Sequence, residues 1–158
     1  MSTFQGKSIS RTARITLNGS ISEVFPLFEP VNERKWAHGW DPTIIFPAGG
    51  PVNVGLVFTT DHDGGSTAIW TMITHDPDAK LIEYLKVQPE VNVTRVSVKC
   101  EATDAMVTDA QVTYTMTSLA EEGDRTVDDF TDEFYSVWIE SWAEGINFYL
   151  RTGKTLVE

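Results

Sequence analysis

Residues 124–150 read DRTVDDFTDEFYSVWIESWAEGINFYL, and within them Val127, Phe130, Phe134, Trp138, Trp142, Ile146 and Tyr149 recur at steps of three and four. That period marks one face of an amphipathic helix, and it predicts a single element from Asp124 to Leu150. Each buried aromatic side chain removes roughly 150–250 Å² from water, so a stripe this aromatic needs a wide apolar partner such as the concave side of a curved sheet. The opposite face is acidic: Asp128, Asp129, Asp132 and Glu133 fall in the first turns, where the helix dipole favours negative charge. Gly153, between Arg151 and Lys154, supplies a C-terminal stop.

The partner sheet is legible upstream. Ile9, Arg11, Ala13, Ile15 and Leu17 alternate with Ser10, Thr12, Arg14 and Thr16, the period of a strand with one buried face. Beyond Pro47 the chain becomes strand after strand, with turns at Asp61–Gly65, Asp76–Asp78, Pro89 and Asp104. Leu56, Phe58, Trp70, Met72, Val96, Val98, Cys100, Val112, Tyr114 and Met116 form the expected inward face. In 81–87 the alternation leaves two choices, Leu81, Leu85 and Val87 against Ile82, Tyr84 and Lys86, with Tyr84 preferred inward. Five consecutive strands on hairpin-length connections, each with one polar face, describe an antiparallel meander solvated on one side.

Between the first strand and the meander lie two short elements. Ser20 and Glu23 have capping-box spacing, but Pro26 would cost a helix begun at Ser20 a hydrogen bond, so Ser22 competes as the cap. Residues 32–41 suggest one or two further turns leading into Trp36-Ala37-His38-Gly39-Trp40-Asp41-Pro42. Its two indoles must be tucked against apolar surface, either plugging one end of the core or lining a pocket.

Composition bounds the function. With 158 residues, 41% of them hydrophobic, the chain is one domain with a substantial core. A net charge of −11 argues against nucleic acid or an anionic membrane surface, both of which reward Lys and Arg patches. Twelve acids against Arg125 alone fill 101–144, which reads as a solvated face before it reads as a docking surface. The lone Cys100 excludes an internal disulfide and sits in a strand as a buried thiol. No stretch is apolar enough to span a bilayer and no leader is visible, so a cytoplasmic location is expected.

Metal and phosphate chemistry find no support. His38, His62 and His75 have no ligand spacing, and Asp61-His62-Asp63 fails as a calcium loop because Ser66 and Met72 stand where Gly and Glu are required. A phosphate-binding glycine loop and a nucleophile elbow are both missing, so no cofactor is expected.

Val24-Phe25-Pro26-Leu27-Phe28, the segment Trp36–Pro42, Gly55-Leu56-Val57-Phe58-Thr59-Thr60, and Asp76-Pro77 leading to Ile82-Glu83-Tyr84 together resemble the START and birch-pollen-allergen (SRPBCC) superfamily, in a bacterial branch whose members are mostly uncharacterised. The resemblance implies an α+β helix-grip fold over residues 1–158, with 1–7 loose: a curved antiparallel sheet around a long C-terminal helix, with two short helices after the first strand. It also implies a cavity between sheet and helix for a small apolar molecule such as a lipid, polyketide or aromatic metabolite. Trp36, Trp40, Phe58, Trp70, Met72, Tyr84, Tyr114, Phe134 and Trp138 are the expected lining. The alternative on the same pocket is a polyketide cyclase or dehydratase without metal or nucleotide. Tyr84 and Tyr114 would then be proton donors, and Asp41, beside Trp40, a carboxyl among apolar neighbours acting as general acid or base. A third reading is a protein-interaction module working through the acidic face. The sequence leaves a homodimer open.

Overall fold

The computed structural model describes residues 3–49, 52–61 and 67–157; the predicted hairpin turn at 62–66 and the end of the 47–51 turn lie outside them. Seven strands form one antiparallel sheet: β1 (Ser8–Leu17), β2 (Thr43–Phe46), β3 (Val57–Asp61), β4 (Thr67–Asp76), β5 (Leu81–Gln88), β6 (Asn92–Asp104) and β7 (Val107–Ser118). Their order in space is β1-β7-β6-β5-β4-β3-β2, so the meander β2–β7 closes against the first strand of the chain.

Register sets the faces. Phe58 pairs with Trp70, Trp70 with Lys86, Met72 with Tyr84, Tyr84 with Val96, and Val96 with Tyr114, which places all of these on one side of the sheet. Ile82 and Tyr84 are the buried pair of β5, as preferred from the sequence. The other side is wet. Hydroxyl pairs Ser8–Thr117, Ser10–Thr115 and Thr12–Thr113, each at 2.9 Å, zip β1 to β7 there. The edge strand β1 is partly covered, because Asn147 donates to the Thr16 carbonyl and accepts from the Asn18 amide.

Ser20 is the cap after β1: its hydroxyl accepts from the Glu23 amide and donates to the Glu23 carboxylate. Pro26 is accommodated because α1 (Ile21–Val24) gives way at once to a 3-10 helix, Phe25–Phe28, in which the proline occupies the first turn. A second 3-10 helix, Asn32–Lys35, carries the chain to Trp36. The N-terminal segment is held at its end, where the Lys7 amide donates to the Ser118 hydroxyl and the Lys7 ammonium pairs with Asp128.

The C-terminal stretch departs from the prediction of one helix. It forms α2 (Glu121–Asp129) and α3 (Asp132–Thr152), separated at Phe130, whose ψ of 65° leaves the helical region. Thr131 then caps α3 by accepting from the Phe134 amide at 3.1 Å, a break that the continuous apolar spacing conceals. The buried stripe of α3 is correspondingly rotated: Tyr135, Ile139, Ala143 and Ile146 are sealed, whereas Phe134 is 53% exposed. Gly153 ends α3 at φ 73°, its amide donating to the Tyr149 carbonyl at 2.7 Å, so the glycine stop is where the sequence puts it. No helix among the described residues is long and apolar enough to cross a membrane.

Candidate functional site

Between the concave face of the sheet and α3 lies a hollow of about 770 Å³. That is within the range of small-molecule pockets, roughly 300–1,000 Å³. The strands supply Phe58 and Thr60 from β3, Trp70 from β4, Tyr84 and Lys86 from β5, Val96 and Val98 from β6, and Tyr114 from β7. The helix supplies Trp138, Ser141, Trp142 and Gly145, and the segment 36–41 closes the remaining side. All five tryptophans of the chain line the space.

Segment 36–41 is held close by the absence of a side chain on α3. A Cβ on Gly145 would stand 2.9 Å from the Trp36 carbonyl oxygen, so only glycine lets the loop approach this far. Trp36 is 4% exposed and donates its indole N–H to the Leu27 carbonyl at 2.7 Å, so it plugs the core and lines the hollow at once. Trp40 donates to the Pro30 carbonyl and Trp70 to the Thr60 hydroxyl. These three indoles therefore turn ring surface to the hollow with their polar edge already satisfied by protein. Trp70 stacks on Phe58 at 5.4 Å, and Trp40 meets both edge-on. Leu156 completes the lining from the C-terminal tail, which is tied down where the Thr155 hydroxyl donates to the Lys35 carbonyl at 2.8 Å.

Seven of the nine side chains expected in the lining are there: Trp36, Trp40, Phe58, Trp70, Tyr84, Tyr114 and Trp138. Met72 is buried beneath the wall, and Phe134 lies on the outside of α3 with Val137, at a shallow depression of its own. The reason for the second is the rotation of α3, which turns Tyr135 inward in its place.

The expected acid–base groups separate by environment. The carboxylate of Asp41 is at the rim, 89% exposed and paired with Arg34 at 3.1 Å, so the apolar surroundings that its adjacency to Trp40 predicted are missing. Tyr84 donates its hydroxyl to the Phe28 carbonyl at 2.7 Å, which ties β5 to the turn after α1 and commits the phenol to the fold. Tyr114 differs. Its ring lines the hollow, and its hydroxyl has no hydrogen-bond partner among the described residues. Burial and the nearby Glu33 push the ionisation of both phenols well upward, so both stay neutral donors.

Two charged groups of the lining were not singled out from the sequence. Glu33, on the second 3-10 helix, is half-buried and lines the hollow. Loss of hydration holds its carboxyl well above the ordinary range, and among the described residues it has neither an ion pair nor a hydrogen-bond partner. Lys86 lies on the inward face beside Tyr84, with its ammonium 5.2 Å over the Trp70 ring, and burial lowers its pKa. The alternation of Ile82, Tyr84 and Lys86 carried that signal; nothing in Asn32-Glu33-Arg34-Lys35, a polar run, marks Glu33. Cys100 lies outside the lining, its thiol pushed up to about 12 by burial, which leaves it inert. No group of three metal-ligating side chains is gathered among the described residues.

Among solved structures the chain is similar over its whole length to norcoclaurine synthase from Thalictrum flavum, a point mutant in complex with a transition-state analogue. That match has a TM-score of 0.70 at 10% identity, over 96% of this chain and 99% of that one. The chain has the helix-grip fold of the START and birch-pollen-allergen superfamily. An aromatase/cyclase from a Streptomyces species matches with a TM-score of 0.65 at 13% identity, over 96% of this chain and 100% of the other. An uncharacterised protein from Rhizobium leguminosarum matches with 0.61 at 17%, over 94% and 99%. No protein-family model and no curated protein matches the helix-grip chain.

Proposed function

We propose that the hollow binds one small, largely apolar and preferentially aromatic molecule. The observation that carries this reading is a space of about 770 Å³ walled by indole and phenol rings whose own polar edges are mostly satisfied by protein. Burial of a ligand's apolar surface against those rings would contribute the affinity, at roughly 25 cal/mol per Å² before the entropy of binding is subtracted. Orientation would come from polar groups of the lining that have no hydrogen-bond partner among the described residues, the Glu33 carboxyl and the Tyr114 hydroxyl foremost. Norcoclaurine synthase, with the same fold, has been solved in complex with dopamine and hydroxybenzaldehyde, two molecules of this size class.

The test is native mass spectrometry of the protein purified from its host, before and after denaturation, joined to a titration with the neutral apolar dye N-phenylnaphthylamine. A co-purified molecule at near-stoichiometric amount, or saturable dye binding displaced by aromatic metabolites, is the expected outcome. An apo mass together with no dye response would refute the reading.

A second reading, a cyclase or dehydratase, is favoured by one feature. Burial raises the pKa of the Glu33 carboxyl well above the ordinary range, the direction that suits a general acid for aldol cyclisation or water loss, and Tyr114 lies within its electrostatic reach. In that reading Glu33 takes the role that exposed Asp41 cannot fill. Retained ligand binding with abolished turnover in Glu33→Gln would separate catalysis from carriage.

A further inference from the structure

Resting on the reading of the hollow as a binding site, we propose that its ligand carries a cationic amine, seated between the Glu33 carboxylate and the surrounding aromatic ring faces. Three independent features converge on this chemistry.

The first is an unmatched acid. A carboxylate withdrawn from water is costly to ionise unless a countercharge or several donors meet it, and Glu33 has neither among the described residues. Its neighbours deepen the deficit. The charged or titratable groups that share its cavity are Tyr84, Tyr114, Lys86, Asp41 and Asp61, with exposed His38, and Glu29 bears with it on Tyr84. Glu29 is engaged by Asn32 and His75, and Lys86 is drawn over Trp70 and forms no ion pair with Glu33. A ligand ammonium supplies the missing charge directly.

The second is ring geometry. Trp36 and Trp142 lie 5.7 Å apart at 57°, while Trp138 stands edge-on to both Trp142 and Tyr114. Rings packed at steep angles in the wall of one hollow turn aromatic surface toward it, and the negative face of an indole attracts a cation most strongly where water is excluded. Lys86 over Trp70 is an internal example of the same contact in the same wall.

The third is the long-range field. With a net charge of −11, and Asp61 exposed at the rim beside Asp41, which Arg34 already pairs, the protein's field favours cations at the mouth over anions. An anionic ligand paired with Lys86 would have to enter against that field.

A charge series on one scaffold tests the idea: phenethylamine, phenethyl alcohol and hydrocinnamate, titrated by calorimetry at neutral pH into the wild type, Glu33→Gln and Lys86→Met. The amine is expected to bind the wild type at least about tenfold tighter than the alcohol, in keeping with a desolvated ammonium among aromatic faces. In Glu33→Gln the amine should fall to within about twofold of the alcohol, with an unchanged far-ultraviolet circular dichroism spectrum showing that the variant is folded. Lys86→Met should keep the preference for the amine. Equal affinity for amine and alcohol, or a preference for hydrocinnamate that disappears in Lys86→Met, overturns the proposal while leaving the hollow a binding site. Failure of all three ligands and of N-phenylnaphthylamine would remove the binding reading itself.

Discussion

The two flanks of α3 are built on opposite principles. On one, Tyr135, Ile139, Ala143 and Ile146 are sealed against the sheet, and Tyr135 donates its hydroxyl to the Val112 carbonyl, so every polar group is spent on the fold. On the other, Trp138, Ser141 and Trp142 line the hollow, Trp142 meeting Trp36 at 5.7 Å and Trp138 meeting Tyr114 at 4.9 Å between ring centroids. The first flank holds the helix in the grip of the sheet; the second is held rigid by it. A stable helix can therefore present large aromatic surfaces to a void, because the residues one step around the turn already bear the burden of stability.

The contrast can be broken by truncation. Ile139→Ala, at a position with no exposure, should cost about 2–5 kcal/mol in a urea melt followed by far-ultraviolet circular dichroism. Trp142→Ala, although it deletes a larger side chain, should cost less than Ile139→Ala, since part of its surface meets no protein atoms. If Trp142→Ala proves the more destabilising, the hollow is in effect packed.

The tyrosines sharpen the same division. Tyr84→Phe leaves the Phe28 carbonyl without its donor and should cost about 1–3 kcal/mol, whereas Tyr114→Phe removes a hydroxyl with no hydrogen-bond partner among the described residues and should leave the urea midpoint unchanged. Equal destabilisation by the two would show that Tyr114 is as structural as Tyr84.

The smallest effect is electrostatic. Because burial raises the Glu33 pKa, the folded state binds the proton more tightly than the unfolded state, and stability from this group falls as pH rises from the unfolded value toward the folded one. Glu33→Gln should therefore melt higher than the wild type at neutral and mildly alkaline pH, with the gap closing below the ordinary carboxylate range. Tyr84 and Tyr114 remain protonated throughout that window, so they do not contribute to the difference.

Much of this was legible in the sequence because periodicity reports faces. The alternation in β3 to β7 put Phe58, Trp70, Tyr84, Val96 and Tyr114 on one side, and register confirms it. Periodicity was less informative where two apolar stripes run side by side. Phe134, Trp138 and Trp142 form one series and Tyr135, Ile139, Ala143 and Ile146 another, and only tertiary packing tells which is sealed. Thr131 before Asp132 and Glu133 carried a cap signal that the unbroken apolar spacing outweighed. Glu33 was invisible for a different reason: a polar residue among polar neighbours on a single 3-10 turn looks like surface, and its place in the wall of the hollow depends on how the rest of the chain folds. Asp41 illustrates the converse, since adjacency to a tryptophan in sequence did not bring apolar surroundings in space.

The gathering of every tryptophan into one wall makes the protein its own reporter. Its entire indole emission arises from the lining, so ligand arrival should change intensity and colour without a label and without background from elsewhere in the chain. The same concentration is a trap in denaturation work. A fluorescence-detected transition would follow the loosening of the wall, and only its coincidence with a backbone signal would establish that the wall and the sheet give way together.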